Sequence, residues 1–386
     1  MAHAILSPSS AARWMACTPS ARLEMTFEDT TSEAAEEGTL AHELGELLIK
    51  TEIGQCDVST FKNMHYQLSR SKYYSNEMLD YCMAYRDFVL KKYHDARSHT
   101  PDAELILEAK LDLSSFIPES YGTADAQIIA DGKLQIVDLK YGRGVFVEAE
   151  DNPQLMIYAT GALISAQMFY NIDTVEMSIF QPRINNIKTV EMDADRLLAW
   201  AANRVTPLAK IAFEGKGEFK VGDHCFFCKA KMLCKAYANK QMEMANTDFE
   251  EPHLLTDGEI AYVIKHADDF ISWAQGVKKY ALEQAVNNGK QWDGFKLVEG
   301  RSNRRYKSQD DVLKRLVENG VSMDIIYDEP KLLGITKLER ALTKKVFNEM
   351  LSDLIIKPQG KPTLVPIDDS RTAINSIEYA AEDFEV

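Results

Sequence analysis

Three residues with hydrolytic potential, Asp125, Asp138 and Lys140, sit on two runs that read as paired strands, TADAQIIA (123–130) and KLQIVDLK (133–140). The runs are joined by Asp131-Gly132, and a two-residue Asp-Gly link between strand-like runs is a strong hairpin signal. Closing the hairpin with Ala130 opposite Lys133 places Asp125 across from Asp138. Cross-strand partners have Cβ atoms ~4.5–5.5 Å apart, and like charges so placed repel. A divalent cation between them relieves the repulsion, and hard carboxylate oxygens suit Mg²⁺ or Mn²⁺. Lys140 shares a face with Asp138 and could orient an attacking water, an arrangement suited to metal-assisted phosphodiester hydrolysis. The plainer reading makes Asp125 a turn residue and Asp138 a strand-end partner of Lys140.

Two helical pairs could support such a site. EAAEEGTLAHELGELLIK (33–50) carries an apolar stripe of Leu40, Leu44, Leu47 and Leu48. His42 and Glu46 share another face of it. His42 could ligate metal, although a lone helical histidine is more often structural. Gly38 in mid-helix costs ~1 kcal/mol relative to Ala, which asks for a close-packing reason. Gln154 and Tyr158 are likewise one turn apart, a pair that means little alone.

Cys225, Cys228 and Cys234 form a C-x2-C-x5-C set in a chain with six cysteines. Three thiolates so close suggest a soft-ligand centre, iron–sulfur or zinc. Cys17 is the leading fourth ligand, with Cys56 and Cys82 behind it and His224 available for zinc. Phe226 and Phe227 would cover the centre.

The elements that must position these residues follow from the remaining pattern. Ser7–Ser10 precede a short helix at AARWMAC. Residues 75–97 read as a helix, ELILEAKLDL (104–113) as a strand, about 152–167 as a helix with Pro153 in its first turn, 175–184 as a strand and 193–213 as a helix. A boundary falls near 245–256. Beyond it lie a helix at 257–287, an alternating stretch at 294–307 and a Pro-rich segment at 357–366. The expectation is an α/β chain: a mixed central sheet flanked by helices (1–245), then a smaller α+β module with an acidic tail (246–386).

The 386 residues carry a net charge of −15, and apolar residues make up 45%. That apolar content excludes wholesale disorder. No apolar run approaches the ~20 residues of a membrane span, and the N-terminus lacks the pattern of a signal peptide. No membrane partner and a cytoplasmic location are expected. The negative charge lies mostly at the ends: −7 in residues 1–60 and −5 in 367–386, which leaves the middle nearly neutral. Lys296, Arg301, Arg304, Arg305 and Lys307, beside Tyr306, could track a DNA backbone or form a solvated face.

The order Gly38-x3-His42, Gly122-x2-Asp125, Asp138-Leu139-Lys140, Gln154-x3-Tyr158, with Cys17 upstream and C-x2-C-x5-C downstream, resembles the RecB/AddB/Cas4 branch of the PD-(D/E)XK nuclease superfamily in its iron–sulfur form. SPSSAARWMAC, IVDLKYGRG and GKPTLVP are similar to the DUF2800 family of phage and prophage proteins. The nuclease resemblance implies a restriction-endonuclease-like core over about residues 7–240. It implies metal ligation by Asp125, Asp138 and His42, with the Leu139 carbonyl as a further ligand. It implies a catalytic Lys140, and Gln154 and Tyr158 on a substrate-contacting helix. Cys17, Cys225, Cys228 and Cys234 would hold a [4Fe–4S] cluster, zinc being the alternative. Asp138 stands where many members have Glu. The implied function is a Mg²⁺- or Mn²⁺-dependent deoxyribonuclease, of exonuclease type, in phage recombination or replication in the bacterial host cytoplasm. Its partners would be single-stranded DNA or duplex ends, and a phage single-strand-binding or annealing protein. The other reading is a catalytically silent DNA-binding or recombination scaffold.

Overall fold

The computed structural model describes residues 4–27, 32–245, 255–296 and 344–351, and the single positions 298, 310, 314, 318 and 335. The chain divides into two units, Met1–Met242 and Glu243–Val386. In the first, α1 (Ala11–Ala16), α2 (Ser20–Glu24), α3 (Glu33–Glu52), α4 (Val58–Ser69) and α5 (Asn76–His99) precede the sheet. Strands β1 (Glu104–Asp112), β2 (Tyr121–Ala130) and β3 (Gly132–Leu139) follow, then α6 (Pro153–Ala166), β4 (Ile172–Gln181) and β5 (Asn186–Asp193). Helices α7 (Ala194–Trp200), α8 (Thr206–Phe213) and α9 (Lys235–Ala245) complete it.

The result is a mixed α/β architecture with one five-stranded sheet in the order β1-β2-β3-β4-β5. Only β3 and β4 run parallel, and α6 makes the crossover between them. β3 is buried along Leu134–Leu139, as a central strand covered on both faces must be. Its alternation divides two cores. Leu134 and Ile136 join α6, Trp14 of α1 and Ala209 of α8 on one face. Val137 and Leu139 meet Ile49 of α3 and Tyr85 and Val89 of α5 on the other.

The hairpin closes in the expected register, with Ala130 opposite Lys133 and Ala126 opposite Val137. Gly132 takes φ +81° at the turn, a conformation that costs glycine nothing. The helix expected at 193–213 is continuous but widens into a π turn at Ala201–Val205. Pro207 accounts for this, because it has no N–H to donate and its ring crowds the carbonyl one turn back.

Two elements escape sequence patterning. α4 has no buried residue, and it reaches the neighbouring core only through the partly buried Phe61 and Leu68. β5 is an edge strand alternating polar side chains, as in Lys188, Thr189 and Glu191. In the second unit, α10 (Asp257–Asn288) starts at a reciprocal Thr256/Glu259 capping box and ends at Gly289, φ +64°. A last helix, α11, spans Lys344–Leu351. Arg301, Arg304, Arg305, Tyr306 and Lys307, the Pro-rich segment 357–366 and the acidic tail lie outside the described residues. No helix among the described residues is long and apolar enough to cross a membrane.

The glycines separate tight from open packing. A Cβ on Gly122 would lie 2.8 Å from Tyr158 Cε1 and 3.0 Å from Pro8 Cγ. Gly38, expected to mark close packing, would meet nothing within 4 Å, which corrects that expectation. Gly45, on the same helix, is the close approach instead, 3.0 Å from Tyr85 Cδ1. Gly122→Ala is therefore expected to destabilise the first unit by about 1–3 kcal/mol in chemical denaturation. Gly38→Ala should stabilise it by up to ~1 kcal/mol. Equal midpoints for the two variants would contradict this packing.

Candidate metal centre and thiol cavity

Asp125 and Asp138 follow the last ladder pair of the hairpin, Ala126 with Val137, at the end of the sheet away from the turn. Asp125 Oδ2 accepts the Leu139 N–H at 2.7 Å, so the carboxylate takes over where the strand ladder stops. Its other oxygen lies 3.2 Å from His42 Nδ1, which α3 brings in from one side. Asp138 is held from the other side. Its Oδ2 lies 2.9 Å from Lys140 Nζ, and its Oδ1 accepts from Gln154 Nε2 at 3.2 Å. Lys140 Nζ in turn donates to Gln154 Oε1 at 3.0 Å. Asn152 caps α6 by accepting the Gln154 N–H at 3.0 Å, which fixes the turn that carries Gln154. Tyr158, one turn on, lies over Gly122 at the edge of the site.

Glu108 also enters. It lies in β1 between the pairs Leu107–Ala126 and Ala109–Ala124, level with Asp125. Its φ of +47° is rare for a non-glycine residue and costs ~1–3 kcal/mol. Its Oε1 is 4.0 Å from His42 Nδ1. Among the described residues, His42, Glu108 and Asp125 form the one group whose ligand atoms all lie within 4.8 Å of one another. Asp138 stands beside that group, engaged by Lys140 and Gln154. The Leu139 side chain is in the core, and its backbone N–H serves Asp125. Glu46 turns away to Lys50, 2.5 Å distant.

The charges are interlocked. Burial disfavours a charged His42, but the Asp125 carboxylate overrides it and lifts the imidazole to about 9. Burial and then the Asp125 charge push Glu108 up to about 7. Burial works to raise Asp125 too, yet His42 and then Lys140 hold it below the ordinary carboxylate range. Asp138 ends above that range, because burial and the Asp125 charge outweigh Lys140. Burial opposes the Lys140 ammonium, and Asp138 and Asp125 more than restore it. Tyr85 adds a buried hydroxyl with no hydrogen-bond partner, in the field of Asp125, Asp138 and Glu108.

The thiols are brought together elsewhere. Cys17, Cys225, Cys228 and Cys234 line one small cavity with His224, Lys231 and Tyr237. Burial raises the Cys17 thiol, and burial followed by the Glu24 charge takes Cys228 to about 12. Glu24 clamps the cavity wall: one oxygen lies 2.7 Å from Arg13 Nε, and the other accepts the Lys229 N–H at 2.8 Å. Cys82 is in a different core, donating to the Ala41 carbonyl, and Cys56 Sγ faces the Asp57 carbonyl. Neither lines the cavity. The expected cover of Phe226 and Phe227 is not what the structure has. Both rings are exposed, at 65% and 64%, packed edge to face on each other, and Leu23 and Phe219 line the cavity instead.

The family model described as "Protein of unknown function (DUF2800)" matches residues 3–372. The chain belongs to the DUF2800 family. A solved structure titled "Crystal structure of SSO0001" is 16% identical, covering 57% of this chain and 95% of that one at a TM-score of 0.23, a likeness that carries no argument. In this DUF2800 chain the residues of both constellations, His42 to Tyr158 and the four thiols, are each gathered by the fold. Glu108 is the site residue that motif reading left unassigned. It falls on the polar positions of its strand with Glu104, Lys110 and Asp112, so the alternation gave no signal for it.

A divalent cation at His42, Glu108 and Asp125 must displace protons. Mg²⁺ affinity is expected to climb about tenfold per pH unit between about 7 and about 9, where only His42 is protonated. It should climb more steeply below about 7, where Glu108 also binds a proton, and level off above about 9. Calorimetric titration at several pH values checks this, and a flat affinity from 7 to 9 would remove His42 from the ligand set.

Proposed function

We propose that this DUF2800 protein is a metal-dependent deoxyribonuclease on a restriction-endonuclease-like core, of the RecB/AddB/Cas4 kind. The observation that carries the reading is the meeting of His42, Asp125, Asp138 and Lys140 in one partly buried cluster, with Asp125 on His42 and Asp138 on Lys140. The residues fit a hard cation: oxygen and imidazole donors converge, and the Tyr85 hydroxyl beside them is orphaned. His42, Glu108 and Asp125, with Asp138 and the Leu139 carbonyl alongside, would hold Mg²⁺ or Mn²⁺. When bound, the ion supplies Lewis acidity at the scissile phosphate.

The chain's own groups do the rest. Lys140 carries a full positive charge within reach of the reacting phosphate, and it orients the attacking water through its ammonium protons. Gln154 fixes the direction of that ammonium by accepting one of those protons, and it holds Asp138 through its amide N–H. Asp138, bonded to Gln154 and beside Lys140, keeps that ammonium in place. Tyr158 closes the helical side of the pocket over Gly122.

Labelled single- and double-stranded DNA should be degraded in the presence of Mn²⁺, with a rate loss of about 10²–10⁴-fold for Lys140→Ala. Equal rates for the two proteins, or no cleavage by the wild type with any divalent metal, would overturn the nuclease reading and favour a DNA-binding scaffold.

The same proposal gives Cys17, Cys225, Cys228 and Cys234 a [4Fe–4S] cluster of structural role. A single tetrahedral zinc, with Zn–S bonds near 2.3 Å, needs sulfurs about 3.8 Å apart. The four thiols that line one cavity supply the donor set for either group, and metal content separates the two. Protein purified without oxygen should be brown and contain about four irons per chain. One tightly held zinc would replace the cluster with a zinc knuckle.

A further inference from the structure

Helix α4 is well formed, yet none of its twelve residues is buried. Asp57 caps it, accepting the Ser59 and Thr60 N–H groups at 2.8 and 3.0 Å. Phe61 and Leu68 hold its inner side against the Leu40–Leu48 stripe of α3, the helix that carries His42. Its outer side has a different character. Lys62, Tyr66 and Arg70 recur at intervals of four and therefore line up along one row of the helix surface, ~12 Å long. All three are exposed, Tyr66 at 62%, and Asn63 and Gln67 beside them are exposed too. The Arg70 guanidinium lies 6.0 Å from the centre of the Tyr66 ring.

The charge on this row is uncompensated. No acidic residue occurs between Asp57 and Glu77, in a chain of net charge −15. Asp57 is spent on the cap. Among the described residues, neither Lys62 nor Arg70 has a carboxylate partner, whereas Arg86, Lys92, Lys133, Arg143 and Arg183 are each paired with one.

We propose that the Lys62–Tyr66–Arg70 row is a contact surface for single-stranded DNA outside the metal centre. Tyr66 stacks on an unpaired base, and Lys62 and Arg70 neutralise flanking phosphates. The choice of DNA as the polymer rests on the nuclease reading, while the fit to a single strand rests on the row itself. An isolated exposed ring between two cations offers a π-face to any unpaired base, whereas bases in a duplex already stack on one another.

The test is fluorescence anisotropy with a fluorescein-labelled single-stranded oligonucleotide and a blunt duplex of the same sequence, without divalent metal. Tyr66→Ala should weaken single-strand binding about tenfold, and Tyr66→Phe should restore it. Lys62→Gln with Arg70→Gln should lower the salt slope by about 1.4. Because all three side chains are exposed, circular dichroism should be unchanged. Wild-type affinity and salt slope in a variant combining Lys62→Gln, Tyr66→Ala and Arg70→Gln would overturn the proposal. So would a Tyr66→Ala loss that is equal on duplex and single strand. A protein that binds single strands through this row but cleaves nothing with Mn²⁺ would keep this inference and lose the nuclease.

Discussion

Two carboxylates at the covered end of a sheet, Asp125 and Asp138, repel across a hairpin that has no room to separate them. Much of the first unit answers that repulsion. α3 delivers the His42 imidazole to Asp125, and the exit of β3 delivers the Lys140 ammonium to Asp138. Gln154 stands between Lys140 and Asp138 and bonds to both. Removing either cation would strand a buried charge, a loss that costs several kcal/mol in well-buried pairs. The close approaches at Gly45 and Gly122 follow from the same need, because they let Tyr85 and Tyr158 press in around the acids. Glu108 adds a third carboxylate at the expense of a strained backbone, which makes the cluster costly without a bound cation.

The thiol cavity obeys a separate logic. It lies where α1 and the first residues after it meet the segment 213–234, and its walls are tied by hydrogen bonds spanning most of the first unit. Thr18 donates to the Lys216 carbonyl, Arg22 to the Phe213 carbonyl and Arg13 to the Phe227 carbonyl. Soft sulfur donors are thus kept among apolar and basic neighbours, apart from the hard oxygen donors of the acidic cluster.

What could be read from sequence was what local geometry decides. The Asp131-Gly132 turn fixes its own register, so the pairing as far as Ala126 with Val137, the residues just before the two acids, was legible without any tertiary information. The β1–β2 pairing is closed by the longer loop 113–120, and neither its register nor the positive φ at Glu108 has a local signature, so Glu108 remained unassigned. Gly38 misled because a helical glycine signals close packing only when a neighbour is near, and the neighbour proved to be at Gly45. Phe226 and Phe227 misled for a related reason: adjacency in sequence to the thiols did not turn their rings towards them. The fourth thiol, Cys17, is more than two hundred residues from its companions, and spacing alone could rank it but not place it.

The stitching of the N-terminal segment to residues 213–234 has a consequence for synthesis. Trp14 packs in the same core as Ala209 and Ala212, and Cys17 faces Cys225 and Cys234. On the ribosome the first helix emerges early, can dock on α6 and the sheet once these have left the exit tunnel, and meets α8 and the cysteine segment last. The sheet can pair in the meantime, since its hairpin is local. The part of that core covered by α7 and α8 stays open until then, so the nascent chain passes through a stage with its larger core partly exposed. Completion of the unit is therefore late, and a chain that ends short of the cysteine segment would still hold Leu6 and Pro8 through Ser120 and Gly122 but would leave Cys17 without Cys225 and Cys234.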